Sequence, residues 1–550
     1  MAARPVRPEP IRETKGASIV RRGNTDALVV GGLLSLIVLL RIIYISTATI
    51  DSVVFRITDD AYYYLNTARN IVLGFGVTFD RMNPTNGFHP LWMLCLLPVF
   101  ALFPNTVDAP VRLVSGGLVA MAGVTAWLAF QTIREWFGRP VAAIMVPVLG
   151  VPVIANHMLN GMETGLLLLL LCAAIRLDQG WGVLAASASV GRSVLFGLLL
   201  GLVFLSRLDS VFIICCVFAA WGMQYVRRPT PTGLRGILAA AGACGLLGAS
   251  FVVWNLCTFG HAMPISGAIK SSFPVPSLSV KTFRSLGVVF HGFVVIGTLS
   301  VLAWEHYRSS TRTEMSSTKR IHIPVMLAAL WFGSAMHLAY EVLFTKWGLE
   351  WWHFASHVPG LLFLAALLVW SLITRLSPAW VRVCIGSVAL LVVVAVSSET
   401  KVRGDHHEPW LKAARWARAN TVEDSVFAMT DSGLFGYFSG RRTVNLDGVI
   451  NSYGFQKALG EGRLDEFLAR SRVTHLADYE VPTPVPALHR IRLRSALFGG
   501  PVSELQAEPD AEVYRSDPYQ DHLSKLYGRG PISFVIWDLR RVRLVVRRTS

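Results

Sequence analysis

Two adjacent carboxylates, Asp59 and Asp60, stand in "TDDAYYYLNTARNI", directly after an apolar run and before the loop "GFGVTFDRMNPTNGFHPLW". Paired acids can supply a general base that takes a proton from an attacking hydroxyl. They can also give oxygen ligands to a hard cation. The three tyrosines that follow, Tyr63 among them, offer aromatic faces on which a sugar or a prenyl chain can stack. In the loop, Asn83, Asn86 and His89 add hydrogen-bonding groups without net charge at neutral pH, Trp92 adds a ring, and Gly74, Gly76 and Gly87 permit tight turns. A simpler reading stands beside this one. Thr58 has the right type for a helix N-cap, and Asp59 and Asp60 then sit in a first turn where the helix dipole favours carboxylates.

Further polar residues interrupt apolar sequence. Glu163, in "LNGMETGLLLLLL", is flanked tightly by apolar segments, where an acid is a functional-site candidate; the alternative is a helix start at Glu163-Thr164. Arg207, in "FLSRLDSVF", has the planar fork that grips phosphate, or pairs locally with Asp209. Lys270 and His261, in "GHAMPISGAIKSS", place positive charge where a lipid phosphate would lie, although an interfacial lysine also snorkels without function. The tryptophans of "TKWGLEWWHFASH" fit an aromatic membrane belt as well as a sugar platform.

The elements that must position these residues follow from composition. The chain has 550 residues, 53% of them hydrophobic and 16% charged, against about 25% charged in soluble globular proteins. Apolar runs recur near 27–47, 111–133, 140–159, 163–177, 193–206, 209–225, 235–257, 284–304, 323–344, 357–374 and 380–397. A span needs about 20 apolar residues, so the expected fold class is a polytopic α-helical membrane protein of about eleven spans. The run 89–104 is short for a span and reads as an interfacial or re-entrant element. The basic N-terminus does not read as a cleaved signal peptide. Basic loops alternate: Arg134 and Arg139, Arg176 and Arg192, Arg227 to Arg235, "EHYRSSTRTEMSSTKR" and "TRLSPAWVR". The positive-inside rule then puts the N-terminus inside and the C-terminus outside a plasma membrane. It also accounts for the net charge of +16 without a nucleic-acid partner.

The expected organisation is a basic cytoplasmic segment 1–26, a membrane core 27–397 that includes a first outer loop 48–110, and an extracytoplasmic α/β domain 398–550. In that domain "SVFAMT", "RTVNL" and "SFVIWDL" alternate like strands, while "EPWLKAARWARAN" and "GRLDEFLARSRV" are amphipathic at helical spacing. The seven cysteines show no metal-binding spacing. The C-terminal "GLFGYFSG" is not a dinucleotide fingerprint.

The succession "TDDAYYYLNTARNI", "TFD", "NPTNGFHPLW" resembles the first outer loop of the GT-C superfamily of membrane glycosyltransferases, closest to the actinobacterial branch that uses decaprenyl-phosphate arabinose. That resemblance implies a polyprenyl-phosphate sugar donor and a glycan, glycolipid or protein acceptor. It implies Asp59 as catalytic base with Asp60 in support, and Glu163 as a second acid in the active site. It leaves room for a divalent cation (Mg, Mn or Ca) held by Asp59 and Glu163. Relatives also carry segments like "PISGAIK" and like "DSGLFGYFSGRRTVNLDG", the latter serving acceptor binding or docking onto the core. Direct attack by the acceptor would invert the sugar's anomeric centre. Two other classes remain open, a polyprenyl-lipid flippase and a non-catalytic scaffold of envelope assembly. The polar residues cluster at one surface rather than at a midplane between repeats, unlike a transporter.

Overall fold

The computed structural model describes residues 16–185, 188–277, 294–301, 303–307, 309, 317–399, 407–480, 488–520 and 530–547. The first part is helical: α1 (Gly16–Thr47), α2 (Ile50–Val54), α3 (Asp59–Val72), α4 (Pro90–Leu102), α5 (Asp108–Phe137), α6 (Arg139–Val148), α7 (Pro152–Leu159), α8 (Thr164–Trp181), α9 (Val190–Ser206), α10 (Val211–Arg227), α11 (Gly233–Phe259), α12 (Ile265–Lys270), α13 (Ser317–Phe344), α14 (His357–Ile373) and α15 (Pro378–Glu399).

Among the described residues, five helical segments are long and apolar enough to cross a membrane: Asp108–Phe137, Thr164–Trp181, Leu208–Arg227, Gly233–Phe259 and Val325–Phe344. The remaining expected spans are shorter apolar helices or lie partly outside the described residues, as 284–304 does. The run 140–159 is two helices rather than one. Val151 is extended, and Pro152, which restricts its neighbour and lacks an amide proton, starts α7. One apolar core, built on Phe130, Trp136, Phe196, Trp221 and Phe363, unites these helices. The run 89–104 becomes α4, which packs on α3, α5 and α9.

The C-terminal region is α/β: α16 (His407–Asn420), β1 (Val426–Met429), α17 (Gly433–Ser439), β2 (Arg442–Asn445), α18 (Tyr453–Gly460), α19 (Leu464–Arg470), β3 (His475–Glu480), β4 (His489–Ser495), β5 (Gly499–Ala507), β6 (Glu512–Arg515), β7 (Ser533–Asp538) and β8 (Val542–Arg547). Five strands form a mixed sheet in the order β2-β1-β3-β7-β6; β1 is parallel to β2 and β3, and β7 runs antiparallel to β3. Central β1 is buried throughout, as a strand covered on both faces must be. β4, β5 and β8 make a second, antiparallel sheet.

One apolar cluster crosses from the membrane part into the C-terminal region. It joins Tyr62, Tyr63, Phe79 and Phe100 to Leu411, Phe427, Phe435 and Tyr437. Tyr62 is therefore packing rather than an open platform, while Tyr63 and Tyr64 border a small cavity. Tyr62 is fully buried with its ring 5.6 Å from those of both Tyr437 and Phe438, and Tyr63 meets Phe79 edge-on at 5.4 Å.

Candidate active site

The start of α3 fixes the acidic pair. Thr58 occupies the N-cap position with extended backbone, but its hydroxyl donates to the Asn160 carbonyl at 3.2 Å instead of capping α3. Asp59 caps a different helix. Its Oδ1 accepts from the Leu434 amide at 2.7 Å and its Oδ2 from the Gly433 amide at 3.0 Å, at the N-terminus of α17. A Cβ on Gly433 would lie 2.2 Å from the Asp59 carbonyl oxygen, so only glycine permits this approach. Next along the helix, Asp60 turns away from α17.

Asp60 faces a cavity of about 70 Å³ together with Tyr63, Tyr64, His89, Glu163, Arg207 and Lys270; Gly87, Val449, Trp352 and His353 complete much of its wall. Four of its lining residues bear formal charge. Two of them pair: Glu163, with no exposed surface, accepts from Arg207 Nη1 at 2.7 Å, and Arg207 Nε donates to Asp209 at 2.8 Å. Asp60 and Lys270 remain, neither with an ion-pair partner within 4 Å among the described residues. Burial pushes the Asp60 carboxyl above its ordinary range; the Lys270 charge pulls it down, and Asp447 and Glu163 add to the rise. Burial likewise raises Asp59 well above its usual value, against the pull of the two amides.

The rest of the wall is neutral. His89 Nδ1 accepts from the Leu208 amide at 3.3 Å, which puts its ring proton on Nε2, 3.7 Å from Glu163 Oε1. Burial lowers its pKa, against the pull of Glu163. His353, held by a reciprocal cap with Glu350, is driven well below the ordinary histidine range by burial. Glu163 Oε2 has no hydrogen-bond partner. Below the cavity, Asp209 continues into a buried network. His337 Nε2 stands 3.7 Å from Asp209 and 3.2 Å from Glu341, and its Nδ1 lies 3.0 Å from His357 Nε2.

The structure thus gathers Asp60, Tyr63, His89, Glu163, Arg207 and Lys270, and separates the other residues singled out from sequence. Asp59, expected as the base, binds α17 with both oxygens. A cation held between Asp59 and Glu163 does not fit this donor set, since of that pair only Glu163 Oε2 is unengaged. Arg207 is turned to two carboxylates. His261 lies off the cavity, stacked on Tyr453 at 3.6 Å. Asn83 bonds Asp80, and Asn86 ties the loop to Asn255 and to the Ile265 amide. Trp92 is buried in the shared core. Within the site, Tyr63 takes the role of a bridge. Its hydroxyl meets the Ser432 amide at 3.1 Å, Asn445 Nδ2 at 3.3 Å and Asp447 Oδ2 at 3.4 Å. The sequence did not point to His353 or to the His337–Glu341 pair, and Trp352 stood out in it only as one of several tryptophans of a membrane belt or sugar platform. The i, i+4 spacing of His337 and Glu341 inside an apolar helix was the available signal.

Comparison with known proteins adds the architecture. A model of a domain of unknown function, DUF8728, matches residues 395–514. No curated protein matches. Among solved structures, ArnT from Cupriavidus metallidurans in the apo state aligns over 85% of this chain and 96% of its own, at 13% identity and TM-score 0.51. The same enzyme bound to undecaprenyl phosphate aligns over 85% and 97%, at 12% identity and TM-score 0.50. The oligosaccharyltransferase of Archaeoglobus fulgidus, tethered to an acceptor peptide, aligns over 82% and 68%, at 14% identity and TM-score 0.50. This chain therefore shares its fold with ArnT and with the archaeal oligosaccharyltransferase.

Proposed function

We propose that this protein transfers a sugar from a polyprenyl-phosphate donor to an acceptor hydroxyl on a glycan, glycolipid or protein, at the extracytoplasmic face of the plasma membrane. The observation that carries the reading is an unpaired carboxylate, Asp60, and an unpaired ammonium, Lys270, facing one cavity in a GT-C fold. Asp60 takes the acceptor's proton, a role to which a raised pKa suits a carboxylate. Lys270 meets the phosphate that departs with the lipid. Glu163, fixed by Arg207, orders the cavity floor beside neutral His89. The acceptor oxygen attacks the anomeric carbon as the bond to phosphate breaks, which inverts that centre. ArnT's complex with undecaprenyl phosphate supports a lipid donor here. The likeness of "TDDAYYYLN" and "NPTNGFHPLW" to arabinofuranosyltransferase loops makes a pentofuranosyl donor the first to try. We read the five long helices, the shorter apolar helices other than α4, and the run 284–304 as about eleven spans, and residues 398–550 as an outer domain.

Purified protein supplied with labelled polyprenyl-phosphate sugar tests the assignment. Asp60→Asn should lower transfer by about 10²–10⁴-fold, the usual contribution of a general base, with donor binding kept. Lys270→Gln should weaken binding of undecaprenyl phosphate instead. Normal turnover in a folded Asp60→Asn protein would falsify the base assignment.

A further inference from the structure

A second, larger cavity of about 480 Å³ lies between the first outer loop, the end of α11 and the α18–α19 pair. Its size is that of an ordinary ligand pocket, about 300–1,000 Å³. The same loops contribute to it and to the Asp60 cavity without a residue in common: Asn86 lines the larger and Gly87 the smaller, and Ser452 and Val449 divide in the same way. Its surface offers hydroxyls and amides from Thr258, Ser452 and Asn83, and the rings of Phe259 and Tyr453. Stacking on His261 holds the Tyr453 ring flat. Arg470 is the single charged residue that lines it.

Met82 connects this groove to an unusual concentration of positive charge. It lines the groove, and its sulfur accepts from Arg442 Nη1 at 3.0 Å. Arg442 on β2, Arg69 on α3 and Arg81 in the loop come from three separate segments: Arg81 Nε donates to Asn70 Oδ1 at 3.3 Å, next to Arg69, and Arg442 reaches Met82, next to Arg81; the charges of Arg69 and Arg442 both depress the pKa of Arg81, after burial. Among the described residues none of the three has a carboxylate within 4 Å; Glu423 reaches Arg81 only at longer range. The nearby Asp80 is engaged by Thr78, the Met82 amide and Asn83. Arg69 Nε is buried without any hydrogen-bond partner. Arg81 sits at φ 65°, in the left-handed region that side-chain-bearing residues adopt at a cost and that recurs at ligand clamps.

Guanidinium groups held together without counter-charge form a ready receptor for carboxylate, phosphate or sulfate. We infer that this groove, with Arg470 in its lining and the Arg69–Arg81–Arg442 group beside it across Met82, binds an anionic stretch of the acceptor glycan, so that a neighbouring sugar hydroxyl passes the Asn86–Gly87 segment to reach Asp60. The inference rests on the sugar-transfer reading for the word acceptor, but the anionic site stands by its own residues. An acidic saccharide fits better than an acidic peptide because the lining of hydroxyls, amides and flat rings suits sugar rings.

The full-length protein in detergent micelles provides the test, with hexagalacturonate as the anionic probe, maltohexaose as the neutral one, and hexaglutamate as the peptide. Hexagalacturonate should bind at least tenfold more tightly than either of the others, and less tightly as salt rises. Arg81→Gln and Arg442→Gln should each weaken it at least tenfold while undecaprenyl phosphate affinity is unchanged; Arg470→Gln replaces either variant that fails to fold. Arg228→Gln, in the loop after α10, should have no effect. Equal binding of maltohexaose or hexaglutamate, unchanged affinity in the groove variants, or an equal loss in Arg228→Gln overturns the inference. If wild-type protein ignores undecaprenyl phosphate yet binds hexagalacturonate through Arg81 and Arg442, the anionic site is upheld and the transferase reading fails.

Discussion

Replacing Asp59 by alanine separates docking from chemistry. The change removes a carboxylate that accepts from two amides, at 2.7 and 3.0 Å. A hydrogen bond to a charged group contributes about 1.5–3 kcal/mol. Two give about 3–6 kcal/mol, and the burial that raises the Asp59 pKa offsets part of that. We therefore expect a net loss of about 2–4 kcal/mol. For a region of roughly 150 residues, each kcal/mol moves Tm by about 2–4 °C, so Tm should fall by about 4–16 °C. Thermal unfolding in detergent, followed by intrinsic fluorescence, reads this directly. Asp60→Asn should leave Tm unchanged or raised, because it removes a half-buried carboxylate that has no ion-pair partner within 4 Å among the described residues and whose charged form burial disfavours. A stable Asp59→Ala protein beside an unstable Asp60→Asn protein would refute the division of labour between the two acids.

Gly433→Ala should destabilise by about 1–3 kcal/mol, the usual cost of overpacking, since its Cβ would meet the Asp59 carbonyl; Tm again reports it. For pH, Asp60 must be ionised to act as a base, and its folded pKa is raised. The acid limb of the transfer rate should therefore fall above the ordinary aspartate value of about 3.9, and a limb at or below that value counts against the role. The same raised pKa means that the folded state holds its proton more tightly than the unfolded chain. Its contribution to stability is thus present at low pH and lost as pH rises through the folded pKa. Tm should drop on that rise, less so in Asp60→Asn. For topology, cysteines introduced at Met315 and Glu480 should be labelled in intact cells only at 480; labelling at 315 alone contradicts an outer C-terminal region.

The elements were legible where a single periodicity governed them. "SVFAMT", "RTVNL" and "SFVIWDL" are strands and "EPWLKAARWARAN" is a helix, because alternation and helical spacing are local properties. The break at Pro152 was hidden within a continuous apolar run, since hydropathy does not register a missing amide. The site was half legible. Asp60, Glu163, Arg207, Lys270 and His89 stood out as polar residues in apolar or glycine-rich settings, and they do meet. The order within the acidic pair was not legible, because the partner that claims Asp59 lies 374 residues away at Gly433. The tyrosine triplet misled for the same reason: nothing local says that Tyr437 and Phe438 will cover Tyr62.

That sequence distance has a consequence for biogenesis. A ribosome adding about 5–20 residues per second needs roughly 20–75 s to travel from Asp59 to Gly433. During that interval the segment 58–92 has already been made, with Tyr62 and Phe79 uncovered and Asp59 without its two amides. The contact between α3 and α17 is therefore completed long after α3 itself is made. Any chaperone, protease or membrane insertase that handles the nascent chain meets an aromatic, acidic loop awaiting its lid. A chain cut short before α17 would keep its apolar helices and lack the two amides that hold Asp59.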